Sequence, residues 1–176
     1  MKIFWSFLVI FPLSGMLTTL PAKNIAQVRV QFEKYPVTQI YKGKPAPINL
    51  NSNPNAAKFR GILQDGMQKG PNFAGHYTIV TWGCGTSCQN SAIVDAKTGA
   101  VYTPGIMSEV GIKYKLNSRL LIVNPPENIT EVYGKNPPIG IKSKYYRWEN
   151  NRLIQFKPPI IDRTAYAMVN LNNEQS

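Results

Sequence analysis

The chain has 176 residues, with 20 Lys or Arg against 9 Asp or Glu, a formal net charge of +11 with its single His neutral. An apolar fraction of 43% is that of an ordinary globular protein and excludes a disordered basic tail. The length suits one domain rather than a many-bladed propeller or a two-domain enzyme.

Residues 1–22 read as an export signal. Lys2 supplies the positive start, Ile3 to Leu13 is an almost unbroken apolar run, and Leu20-Pro21-Ala22 offers a small residue for cleavage. A membrane anchor would need about twenty apolar residues, and Pro12, Ser14, Gly15, Thr18 and Thr19 interrupt the stretch. Residues 23–176 are therefore expected as a single cationic domain, periplasmic or secreted. Its basic residues are spread singly through Lys34, Lys42, Lys58, Lys113 and others, the pattern of a solvated surface rather than an address.

Val28, Val30 and Phe32 alternate with Arg29, Gln31 and Glu33, which predicts a half-buried strand. The run Lys42 to Pro47 breaks the pattern. Asn53 then reads as a helix cap, Pro54 as the first helical residue, and Ala56, Phe59, Leu63 and Met67 recur every three or four residues before Gly70. One amphipathic helix near 54–69 follows. From Asn72 to Thr103 the chain has no Pro, and His76 to Trp82 and Ser91 to Asp95 read as strands, with a tight turn at Asp95 to Gly99 leading to Val101-Tyr102. Val110, Ile112, Tyr114 and Leu116 alternate with other residues up to a turn at Asn117-Ser118, and Leu120 to Val123 is apolar on both faces. A final hairpin runs from Tyr145 to Glu149 and returns along Arg152 to Phe156, turning at Asn150-Asn151. Pro-Pro pairs at Pro125, Pro137 and Pro158 mark loops or edges, and Glu127 and Glu131 fall among loop residues. The fold class is α+β, mainly antiparallel β: a hairpin-built twisted sheet, small barrel or sandwich with one helix on a face.

The most distinctive stretch runs from Gly75-His76-Tyr77 through Trp82-Gly83-Cys84-Gly85-Thr86-Ser87-Cys88 to Gln89. With Ile93 to Gly99 it resembles small exported bacterial proteins of no assigned function that share a Gly-His-Tyr start, a Trp-Gly-Cys-Gly turn and a second Cys. The resemblance covers about thirty residues and extends weakly to Asn117 to Leu120 and to Tyr146-x-Trp148-Glu149. It implies export and a mainly β domain, and brings no catalytic residues.

Cys84 and Cys88, in an oxidising compartment, suggest a disulfide that holds Gly85-Thr86-Ser87 in one shape, with Gly83 and Gly85 giving the small ring its freedom. Three chemistries compete with it. Zinc would need four ligands, and His76 with two Cys falls one short, so no metal or other cofactor is expected. Redox catalysis usually separates its cysteines by two residues at a helix start, whereas three separate these after a strand. A Cys nucleophile with His76 as base is the third, since both flank one strand. His76, the only His, is the one candidate general base near neutral pH, with Asp95 a companion, although its position suits packing or hydrogen bonding. Tyr145-Tyr146-Arg147-Trp148 offers a stacking surface, but strand alternation turns Tyr146 and Trp148 inward and Tyr145, Arg147 and Glu149 outward. Asn128-Ile129-Thr130 matches a glycosylation acceptor by accident of three residues.

The expected function is non-enzymatic binding outside the cytoplasm. The recognition residues are Gly85, Thr86, Ser87, Gln89 and Arg119, and the partner an acidic envelope protein or polyanionic envelope component rather than cytoplasmic nucleic acid. The competing expectations are an envelope enzyme or redox protein using His76 with Cys84, Cys88 or Asp95, and a structural envelope domain.

Overall fold

The computed structural model describes residues 31–159. The export-signal reading and the Val28 to Val30 part of the first expected strand lie outside them.

Apolar segments that follow one another in the sequence pair side by side, giving two antiparallel meanders. The first sheet contains β1 (Tyr77–Gly85), β2 (Cys88–Asp95) and β3 (Val101–Ser108), in that order. The second contains β4 (Ile112–Tyr114), β5 (Leu120–Val123), β6 (Lys144–Glu149) and β7 (Arg152–Phe156). The turns are chemically specified. Asp95 Oδ1 accepts the Lys97 N–H at 2.8 Å, and Gly99, at φ +73°, donates its N–H to the Asp95 carbonyl at 2.8 Å. Asn150 and Asn151, at φ 48° and 58°, make the left-handed pair that joins β6 to β7.

Alternation along each strand sorts side chains into layers. Tyr77, Ile79, Ile93 and Ile106 of the first sheet meet Leu121, Val123 and Trp148 of the second, with Phe73 filling the space between. The sheets thus pack as a sandwich and form no closed barrel. On the other face of the first sheet, Val80, Ala92, Val94 and Val101 pack against Ala56, Leu63 and Met67. Those three come from the helices α1 (Pro54–Lys58) and α2 (Arg60–Gln68). Because both faces are covered, Tyr77 to Val80 are all buried, which hides the period of two. Leu120, Ile122 and Tyr145, on the outer face of the second sheet, are covered by Phe32.

Several elements differ from expectation. Phe32 belongs to a 3-10 turn, Phe32–Lys34, because its carbonyl is taken by Ser118 Oγ at 2.8 Å and that of Tyr35 by the Arg119 N–H at 2.8 Å. The segment serves as a cover, not a strand. The expected helix is two short ones meeting at Phe59, whose ψ of 19° departs from helical values while its ring packs on Trp82 at 4.7 Å. Pro125-Pro126 opens a helix, α3 (Pro126–Tyr133), since a proline at the first helical position gives up an N–H that would be unbonded anyway. Glu127 and Glu131 therefore stand on a helix. Asn53 caps α1 as expected, its Oδ1 accepting the Asn55 N–H at 2.9 Å, and its Nδ2 donates to Thr103 Oγ1 at 3.0 Å.

Candidate functional site

The expected recognition residues fall at two ends of β1. At the far end, Cys84 and Cys88 form a disulfide with their Cα atoms 5.1 Å apart. Pairing of Gly83 with Gln89 and of Gly85 with Cys88 leaves Thr86-Ser87 as a two-residue turn, with Gly85 at φ 132° and Ser87 at φ 51°. Gly83 to Ser87 and Gln89 are all exposed. The tip is an uncharged, covalently closed projection.

His76 sits just before β1, eight residues from Cys84. An extended strand rises about 3.3 Å per residue, so the two are roughly 25 Å apart and cannot form a nucleophile–base pair. Both sulfurs are in any case bonded to each other. What His76 does approach is Asp95, because Tyr77 pairs with Asp95 across β1 and β2. Its Nε2 lies 3.9 Å from Asp95 Oδ1, beyond hydrogen-bond reach, so Asp95 does not fix the imidazole as a catalytic orienting group would. Burial lowers the His76 pKa, the charge of Lys97 adds to this, and Asp95 opposes it, leaving the ring neutral near pH 7.

A groove of about 710 Å³ opens beside His76, and Arg119 lines it together with Lys97, Glu149, Asn150 and Asn151. Arg119 thus belongs with His76 and not with the tip. It donates to Glu149 Oε1 at 3.3 Å and to the Pro36 carbonyl at 3.3 Å, while Arg147 Nε lies 2.6 Å from the same Glu149 oxygen. Its charge is committed within the fold.

The aromatic run of β6 is not a stacking surface. Trp148 lies in the core between the sheets, its ring 5.1 Å from that of Tyr77 and 5.5 Å from that of Tyr102. Tyr145 does face the opposite side, as alternation requires, but is buried there beneath Phe32. Glu127 is paired with Lys113, and this bond, the backbone N–H and the Lys113 charge outweigh burial and lower its pKa. Among the described residues no three of His, Cys, Asp and Glu gather as metal ligands, and no helix is long and apolar enough to cross a membrane.

A second cleft, of about 390 Å³, lies between β3 and the β6–β7 hairpin. Nothing in the strand patterns marks it. The available signal is Thr103-Pro104-Gly105, a poor strand sequence that lies within β3. Comparison with known proteins leaves this geometry to speak for itself: no family model, no curated protein and no solved structure matches the chain.

Proposed function

We propose that the chain is an exported, non-enzymatic binding protein whose partner docks on the disulfide-closed tip between β1 and β2. The observation that carries this reading is the tip itself: exposed from Gly83 to Ser87 and covalently closed at its base. A loop already held in one conformation loses little entropy when it binds. Thr86 and Ser87 supply hydroxyls at the end of the projection, with Gln89 beside it. The surplus of basic residues steers an acidic partner, an envelope protein or polyanionic envelope component, toward the surface without forming the contact.

The test is capture from an envelope fraction by immobilised oxidised protein, compared with the variants Thr86→Trp and Ser87→Trp. Both positions are exposed, so the melting temperature should hold while capture is lost. Capture that survives both substitutions overturns the assignment of the tip.

A further inference from the structure

The outer strands of the two sheets are β1, β3, β4 and β7. Three of them carry features that discourage a further strand. Between its pairs with Ser91 and Ile93, β3 advances four residues where β2 advances two, and Thr103-Pro104-Gly105 fills the irregular stretch. The strand β4 has three residues with Lys113 at its centre, and β7 opens on Arg152 and runs into Lys157-Pro158. By contrast β1, from Tyr77 to Gly85, contains neither a charge nor a proline.

The hydrogen bonds show which groups of β1 face outward. The His76 carbonyl accepts the Ala96 N–H at 2.8 Å on the β2 side, so alternation turns Thr78, Val80 and Trp82 to β2 as well. Tyr77 faces the other way, its N–H on the Phe73 carbonyl at 2.9 Å and its own carbonyl taking the Asn72 and Phe73 N–H groups at 2.9 Å. At Ile79 the outward pair is met by a side chain: Asn72 Oδ1 accepts the N–H at 2.8 Å and Asn72 Nδ2 donates to the carbonyl at 3.1 Å. One side-chain amide thus stands where the peptide group of a neighbouring strand would. The next outward residues are Thr81 and Gly83, both exposed, and no described residue bonds the outward N–H or carbonyl of either.

A groove of about 400 Å³ runs along this edge, with Ile79 to Thr81 as its floor. Ile62, Asp65 and Lys69 of α2 form one wall and Tyr114 of β4 borders the other side. The helix is seated closely: a Cβ on Gly66 would stand 2.4 Å from Val80. Val80 packs toward α2 and Ile79 toward the cluster that holds Tyr114, so the two walls lie on opposite faces of the sheet. A chain laid on the edge would send its side chains alternately to Ile62, 41% exposed, and to Tyr114.

We propose that the outward groups of Thr81 and Gly83 bind an extended segment of an acidic partner protein, which adds to the first sheet beside β1. This rests on the reading of the chain as a binding protein and gives the partner's chemistry. The edge offers the two N–H and two carbonyl groups of a strand, and the Asn72 amide shows that a peptide group fits them; main-chain bonds then supply affinity while the walls select side chains. Asp65 and Lys69 offset each other, so the middle of the segment is uncharged, while the net charge of +11 favours acidic flanks. A second copy carries the same positive charge, and two rungs fall short of what a stable dimer buries. A polyanion lacks the alternating donors and acceptors.

The probe is a capped heptapeptide of alternating valine and threonine with an aspartate at each end, titrated into the ¹⁵N-labelled oxidised protein. It should bind saturably with a Kd below about 1 mM. The Thr81 and Gly83 amide protons should gain about tenfold protection from exchange, while that of Trp82, bonded to β2, changes little. Two N-methylated peptides, with methyls on alternate residues, separate main-chain from side-chain binding: the one whose methyls meet β1 should bind about tenfold more weakly, the other within about threefold of the parent. Thr81→Pro, which removes an outward N–H, should weaken binding about tenfold, and the exposed Ile62→Ser about threefold without disturbing the fold. Met107→Ala, on the exposed face of β3, should leave affinity unchanged.

No saturable binding, protection that does not alternate, or equal effects of the two methylated peptides overturns the edge. So does a Thr81 amide already protected in the free protein, whether by a second copy, with the mass doubled in light scattering, or by another segment of the chain, with the mass unchanged. Thr86→Trp should leave peptide affinity as it is; a loss places the peptide on the tip, overturning the edge and sparing the tip. Envelope capture that survives Thr86→Trp and Ser87→Trp overturns the tip, and alternating protection by the peptide still supports the edge.

Discussion

The Tyr77 hydroxyl donates to Asn151 Oδ1 over 2.6 Å, joining the first strand of one sheet to the last turn of the other. Burial holds the phenol above its usual pKa and so keeps it a donor. Tyr77→Phe removes the bond while preserving the ring contact with Trp148. The expected loss is about 1 kcal/mol, read from the shift of the denaturant midpoint at constant slope.

Gly99 shows where the β2–β3 turn has no freedom. At φ +73°, an added Cβ would stand 1.8 Å from the Pro47 carbonyl oxygen, and Gly99 also accepts the Asn49 N–H at 2.9 Å. Gly99→Ala should cost about 2–4 kcal/mol, since neither backbone can yield without breaking that bond. Gly83→Ala, at a site with open space, should change stability by no more than about 0.5 kcal/mol. Thermal melts of both variants check the contrast; equal losses would mean that the turn accommodates a side chain.

The disulfide closes a ring with a sequence separation of four, so its effect on the unfolded chain is small. Replacing both Cys84 and Cys88 by Ser should cost about 2 kcal/mol in the chain-entropy model and leave the sheets intact by circular dichroism. Wholesale unfolding of the variant would show that the tip holds the domain together.

The depressed pKa of His76 has a pH consequence whose sign is fixed. The unfolded imidazole takes up a proton near its ordinary 6.5, whereas the folded one, desolvated and beside Lys97, resists protonation until lower pH. Between those values the unfolded chain holds more protons, so stability falls as pH drops through that window and is restored above it. The melting temperature should decline less in His76→Gln than in the parent protein between about pH 7.5 and about pH 5. Parallel profiles would place the titration elsewhere.

Much of the strand order was legible because its turns are chemically explicit. Asn150-Asn151, Asp95 to Gly99 and Asn53-Pro54 each declare a backbone conformation that few residues adopt, and the hairpins and the helix start stand where those residues put them. Proline misled where its position redeemed it. Pro126 begins α3 at no hydrogen-bond cost, and Pro104 sits in a strand at the edge of its sheet. Phe32 misled because alternation is local, while its fate was decided by Ser118, 86 residues away. For the site, the approach of His76 to Asp95 follows from one hairpin register. The placing of Arg119 beside them, and the cleft between β3 and the β6–β7 hairpin, depend on how two sheets meet, which no single strand encodes.

Asn53 uses both ends of one amide, its oxygen on the first turn of α1 and its nitrogen on Thr103 of β3. Asp, Ser and Thr are ordinarily interchangeable with Asn as caps, but an aspartate there would keep the helix start and reverse the contact, with the Thr103 hydroxyl turning to donate to the carboxylate. Drift that the helix alone would tolerate would be felt across the sheet, in the shape of the cleft.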